Sequence, residues 1–466
     1  MKDNEIVIIK REYADYADAY EMVSMAFHLA GYDAEHYGQS DWNPLGKFIK
    51  PGDKVLLKPN MVTQQNHLHG GGTKCLYTQS EVTAPVIDYV LKALRGEGKI
   101  IIADAPVQEC NFDEFIITSG YKALVDSYLG RTGNVIIELR DLRGIYSCVK
   151  RGVHYYTENM NSPGVDIDLG DSSMFAGCDT SKLNRLRITN YDPSILKNYH
   201  NSSRHVYSIS RDVLEADVII SLPKPKTHRK AGVTIALKNS IGMISRKECV
   251  PHHTNGSPSH NGDQYQDASF LAWCENCVID IKNFIAQNWR MPKLAWLFSK
   301  STKILRILQI ITFNKPSGDG SWYGNNTICK SIVDINRCIF YGDVNGRLHN
   351  EKQRKYIVIA DMIISGEHNG PLSPEPKQNG IIALGENPVA FDEVISLLMG
   401  IKPEYFRTLH YAKSPSEYDI NYHDGECPVI ISNDEKYNAK TPAEIDSADI
   451  LYFKPGDTWR EAFINR

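Results

Sequence analysis

Short, almost unbroken apolar runs constrain the fold of this chain most. They are EIVIIK (5–10), the VLL of PGDKVLLKPN (strand 54–58), the III of GKIIIADAP, DVIIS (217–221), and KYIVIADMI (355–363). These runs lack the polar–apolar alternation of a strand with one wet face, so the strands they form are buried on both sides, as in a parallel sheet covered by helices. Between them lie segments of helical periodicity. Residues 14–31 end near Gly31, SEVTAPVIDYVLKALR (80–95) starts at Ser80 as an N-cap, and 388–399 follows the strand IIALG.

The strand–helix rhythm occurs in two blocks. It predicts an α/β protein of two α/β domains, 1–265 and 326–466, with largely parallel sheets and a crevice between them. A polar, irregular excursion (141–210) interrupts the first, and a helical, basic, amphipathic connector (266–325) joins the two. The stretch SGEHNGPLSPEPKQNG reads as a loop between two strands of the second block.

With Lys+Arg 52 against Asp+Glu 56, the net charge of −4 argues against a dedicated nucleic-acid binder, and no nucleic-acid partner is expected. The first residues lack the apolar core of a signal peptide, and no apolar run is long enough to span a bilayer. The expected location is the cytoplasm, with the ten scattered cysteines as reduced thiols. Cys274 and Cys277 form a lone CxxC on a helical pattern, so no iron–sulfur cluster is expected.

In sheets of this kind ligands bind beyond the C-terminal strand ends. Four predicted strands run there into unusual polar groups: Lys58 and Asn60; Asp104; Lys224, Lys226, Thr227 and His228; and Asp361, leading to Gly366, Glu367, Asn369 and Gly370. The lysines suit an anionic small molecule. Lys238 lies among Val233, Ile235, Ala236, Leu237 and Ile241, a setting in which a lysine has a partner or a task, and Asn239 beside it can fix an orientation. The candidate roles are His228 as acid/base, Lys238 as holder of an anion or cofactor, and Glu367 as a second acid/base. His252 and His253 are candidate metal ligands, for nickel or zinc. G-x-S-x-G, H-E-x-x-H and the P-loop pattern are absent.

VLLKPNMV, ADVIISLPKPKTHRKAGVTIALKNSIGMI and IADMIISGEHNGPLSPEPKQNGIIALGENPVAFDEVISLLMGI resemble, in order, the signature segments of the DUF362 family. GSWYGNNTICKSIVDINRCIFYGDVNGRLH (319–349) is similar to its bacterial branch without clusters, which implies a setting near cell-surface polysaccharide biosynthesis. A fainter similarity links Asp217-Val-Ile-Ile, His228, Ala231-Gly232, Lys238 and His252-His253 to nickel-pincer-nucleotide lactate racemases. It implies a nucleotide-type cofactor at Lys238, acid/base work at His228 and nickel at the later histidine. Ala236-Leu237 replace the glycine pair of that pattern, and Pro106-Val107 stand where a further histidine would be.

Three functions follow as expectations. The first is an enzyme acting on an anionic or sugar-like molecule, of the isomerase or epimerase type. The others are a redox protein with a non-cluster cofactor, and a non-catalytic scaffold of an envelope-assembly complex. Residues 282–317 contain no Asp or Glu and interleave Lys and Arg with Trp, Leu and Ile, which predicts two helices broken at Pro292 and peripheral contact with a membrane surface.

Overall fold

The structure is a computed structural model. It describes the chain except residues 151–152, 189–190, 193, 314–317, 423–426 and 465–466, and the side chains of 147–150, 153–155, 287, 292 and 313. A mostly parallel sheet of ten strands forms its centre. The strands are β1 (Glu5–Lys10), β2 (Lys54–Pro59), β3 (Lys99–Asp104), β4 (Ile136–Asp141), β5 (Val218–Leu222), β6 (Lys226–His228), β7 (Gly232–Thr234), β8 (Lys355–Asn369), β9 (Ser373–Gly385) and β10 (Val429–Ser432). Their order is β10-β1-β9-β8-β5-β2-β3-β4, with β6 beside β8 and β7 beside β6.

The fold is α/β as the apolar runs require, but strands of both blocks share one sheet. β8 pairs in parallel with β5 (Val218 opposite Lys355), and β1 lies between β9 (Ile6 opposite Gly385) and β10 (Glu5 opposite Val429). The two halves therefore meet along hydrogen-bonded strands rather than across a crevice. The physical reason is the apolar character of EIVIIK: at a sheet edge it would leave a row of backbone groups unpaired beside bare apolar side chains.

Side-chain alternation splits the core between the two faces. Val7, Leu57, Ile100, Ile220 and Ile359 pack under α1 (Ala19–Leu29) and α2 (Ser80–Leu94). Ile8, Leu56, Ile101, Ile219 and Val358 face the opposite way. There they meet the short α3 (Ala236–Asn239), then, after α4 (Phe270–Phe284) and α5 (Pro292–Phe313), the long α6 (Thr327–Tyr341) and α7 (Pro388–Met399).

The stretch read as a loop after Met362 is not one. β8 and β9 continue as an antiparallel hairpin from Ile364 opposite Gln378 to Asn369 opposite Ser373. This arm projects past the end of β5, and β6 docks on it, with Lys226 opposite Gly366. Asp361 is thus mid-strand, not at a strand end. Glycine at 366 lets the strands meet, because a Cβ there would lie 2.9 Å from the Pro374 Cβ on β9 and 3.0 Å from the Lys226 Cβ on β6.

The polar excursion folds into a hairpin, Ile145–Lys150 with Val153–Glu158, and a three-stranded sheet. Pro292 begins the second of two helices in the connector, as its ring geometry requires.

Candidate functional site

The parallel strands β2, β3 and β5 end at the same edge, and α3 lies across it. α3 is four residues long, too short to be stable by itself. Buried side chains from other elements hold it. Asp392 on α7 accepts the Ala236 and Leu237 N–H groups at 2.8 and 3.2 Å. Asn336 on α6 donates to the Leu237 carbonyl at 2.9 Å. Asn239 donates to the Lys58 carbonyl and to Ser221 Oγ, and its Oδ1 accepts from Lys58 Nζ at 2.9 Å. Lys238 rides on this fixed turn.

Two buried ion pairs flank it. Lys58 lies 2.9 Å from Asp104 Oδ1, while Asp104 Oδ2 accepts the Met61 N–H. Lys224 lies 2.9 Å from Asp361 Oδ2, and Tyr16 donates to the same carboxylate. Burial lowers the pKa of both lysines, and each paired carboxylate works against that. Among the described residues Lys226 has no acid partner. It donates to Asn60 Oδ1 and, at 2.6 Å, to the Leu76 carbonyl. Burial, then the charges of Lys224 and Lys238, push its pKa well below the usual value, and a neutral amine with two protons suits two acceptors.

Lys238 is half-buried and its ammonium has neither a hydrogen bond nor an ion pair among the described residues. Asp104, the carboxylate whose charge reaches it, is engaged by Lys58. Burial, then the neighbouring Lys247 and Lys58 charges, bring its pKa down to about 7, with Asp104 opposing.

The histidines near Lys238 are neutral, with opposite tautomers. His228 Nδ1 accepts the Lys230 and Ala231 N–H groups at 3.1 and 3.2 Å, so its proton sits on Nε2. Burial, then Lys238, hold its pKa well below the ordinary value. The ring is therefore a hydrogen-bond donor rather than a base at Nε2. His252 Nδ1 donates to the Val250 carbonyl at 2.8 Å, leaving a lone pair on Nε2, and burial followed by Lys230 brings its pKa to about 3.

Other expected members go elsewhere. Glu367 accepts the Lys454 N–H at 2.9 Å and lies 3.4 Å from Lys377, so it serves the arm and the C-terminal segment. Thr227 donates to the His368 carbonyl at 3.0 Å, and Asn369 is exposed. A Cβ on Gly370 would lie 2.0 Å from the Thr227 carbonyl, so that glycine is a packing requirement. His253 is buried with Nδ1 unpartnered. Among the described residues no three His, Cys, Asp or Glu side chains gather to hold a metal, so the pair His252 and His253 does not fit a metal held by protein ligands alone.

The profile of the family described as "Domain of unknown function (DUF362)" matches residues 55–143 and 170–396, more than half of the chain. The chain belongs to the DUF362 family. That match takes in Lys58, Asp104, Lys226, His228, Lys238 and His252. A curated relative, "Thylakoid-associated protein sll1697" of Synechocystis, is 27% identical over 203 residues, covering 44% of this chain and 43% of that protein. The aligned part is thus less than half of either chain. A solved protein from Thermotoga maritima is 11% identical with a TM-score of 0.31, covering 79% of this chain and 55% of that one.

Sequence reading of this DUF362 chain missed Lys247, Asp392 and Tyr16. Lys247 donates to the Ala105 carbonyl at 2.6 Å and to that of Pro106, and its pKa falls to about 8, with burial as the main cause. Within ISRKEC nothing distinguishes it from a surface lysine. Asp392 carried a usable signal, an acid directly after the apolar PVAF at the start of a helical pattern.

Proposed function

We propose that this DUF362 chain is an enzyme acting on an anionic small molecule or sugar-like substrate, with Lys238 as the group that meets the anion. The observation that carries this reading is that Lys238 has no counter-ion among the described residues, at an edge where Lys58 and Lys247 add to its field. An entering phosphate or carboxylate supplies the missing negative charge. It also raises the Lys238 pKa, so binding takes up a proton near neutral pH.

Proton transfer on the substrate, as in an isomerase or epimerase, is the reaction class these groups suit. Lys238 as ammonium stabilises charge developing on a substrate oxygen, and His228 Nε2–H is a second, neutral donor. His252 Nε2 offers the lone pair that accepts a proton, and a bound anion strengthens it as a base. The acid/base role expected of His228 thus moves to Lys238 and His252. The cyanobacterial relative is named for the thylakoid, and from that name we take a membrane-proximal setting for this chain.

The test is deuterium wash-in. The protein is incubated in heavy water with hexose phosphates and uronic acids, and carbon-bound hydrogens are followed by proton NMR. Exchange at one position, lost in Lys238→Met and reduced in His252→Gln, supports the reading. Exchange that persists in Lys238→Met overturns the assignment of that residue. No exchange across the panel removes the proton-transfer class.

A further inference from the structure

The pair α4 and α5 has its polarity reversed. Where the helices face each other, Glu275 (2% exposed) and Gln309 (4% exposed) are buried, and Glu275 accepts from Arg306 Nε at 2.5 Å and from Gln309 Nε2 at 2.6 Å. Only Ile285, Ala286 and Ala295 form an apolar centre, with Leu294 and Phe298 against it. The outer surface carries the large apolar groups. Leu297 is 59% exposed, Ile304 60% and Ile311 73%, seven residues apart and so on one helical stripe, and Trp289 at the turn is 58% exposed. A helix in contact with water on its outside places such groups inward.

The charge is one-sided as well. Lys293, Lys300 and Lys303 stand exposed on α5, and Lys300 lies over the Trp296 ring at 3.8 Å. Residues 282–317 hold no Asp or Glu; the last four, with Lys315, lie outside the described residues. Among the described residues no helix is long and apolar enough to cross a membrane. Lysine among exposed Trp, Leu and Ile suits a helix lying in the plane of a headgroup layer, with the ammonium groups reaching up to phosphate. A cavity of about 640 Å³ beside the same hairpin is lined by Phe284, Trp289, Leu294 and Phe298, with Lys197, Asp192 and the Arg187–Asp280 ion pair also among its walls.

We propose that the α4–α5 hairpin is a docking surface for an anionic lipid bilayer, lying in its interface with Trp289 and the Leu297–Ile304–Ile311 stripe in the acyl region. This stands independently of the reaction at Lys238. A second copy of the chain is the less favoured occupant, since a symmetric contact would set these lysines against themselves with no carboxylate between 282 and 317 to meet them.

The experiment is flotation of the full chain with vesicles of phosphatidylcholine containing a quarter phosphatidylglycerol, beside vesicles of phosphatidylcholine alone. Three results are expected. The protein floats with the anionic vesicles at low salt. It is released at about 1 M salt, where screening falls to about 3 Å. In Ile304→Ser/Ile311→Ser and in Lys300→Glu/Lys303→Glu, flotation falls about tenfold or more with an unchanged melting temperature. Protein that stays in the soluble fraction at low salt, or floats equally with neutral vesicles, overturns the proposal. So does a dimer in size-exclusion chromatography that Ile304→Ser/Ile311→Ser converts to monomer.

Discussion

Lys58 and Asp104 form a buried ion pair, 2.9 Å apart, at the edge where β2 and β3 end, and the pair leaves Lys238 without a counter-ion. The Lys58 charge lowers the affinity of Lys238 for protons, and Lys58 is paired while Lys238 has no ion pair among the described residues. Lys58→Met strands Asp104 in the core and removes the donor to Asn239 and the Pro59 carbonyl. The expected cost is about 3–5 kcal/mol, read from denaturant unfolding. A loss below about 1 kcal/mol would mean the pair contributes little.

The pH dependence follows from the sign of the Lys238 shift. Its pKa is about 7 in the folded chain against 10.5 for a free lysine. The unfolded chain therefore binds the extra proton between those values, and stability rises with pH across that window. Below pH 7 the folded state carries the full cost of an unpaired charge. Thermal melts of the wild type and Lys238→Met from pH 6 to 10 check this. The wild type should gain on the variant as pH rises.

Gly242 packs against the pair. A Cβ at this position would lie 1.8 Å from Asp104 Oδ1 and 2.7 Å from Lys58 Nζ. Gly242→Ala is therefore expected to destabilise the chain by about 1–3 kcal/mol through overpacking. It should also shift the pH profile of Lys238, since the Lys58 charge is displaced. Equal melting temperatures for Gly242→Ala and wild type would contradict this close approach.

Lys230, two residues past His228, is buried. It donates to the Asp319 carbonyl at 2.5 Å and lies 3.6 Å from the Asp319 carboxylate, which also holds Arg229 at 3.0 Å. Lys230→Met should cost about 1–3 kcal/mol. In a double-mutant cycle with Asp319→Asn the two losses should fall short of adding, because they break one contact.

Much of the fold was legible because EIVIIK, KIIIAD and DVIIS are apolar on both faces, and few structures other than covered strands bury such runs. The joining of both blocks into one sheet was not. It rests on Ile6 meeting Gly385 and Val218 meeting Lys355, pairings between residues far apart in the chain. The arm from Ile364 to Asn369 was hidden by its Gly, Pro and Glu content, which reads as loop until β6 is seen docked on it. In the candidate site, Lys58, Lys226 and His228 stand out by their place after apolar strands and Lys238 by its apolar neighbours. Which lysine takes which carboxylate is a matter of ångströms that no spacing encodes, and the tautomers of His228 and His252 depend on carbonyl and N–H groups fixed only by the fold.

The central claim, that Lys238 is the anion contact, is tested most directly by calorimetric titration of inorganic phosphate into wild type and Lys238→Met near pH 6.5. The account predicts saturable binding to the wild type with net proton uptake, and affinity at least about tenfold lower, the worth of about 1.4 kcal/mol, in a variant whose melting temperature is unchanged or higher. Equal affinity for phosphate in the two proteins would contradict it.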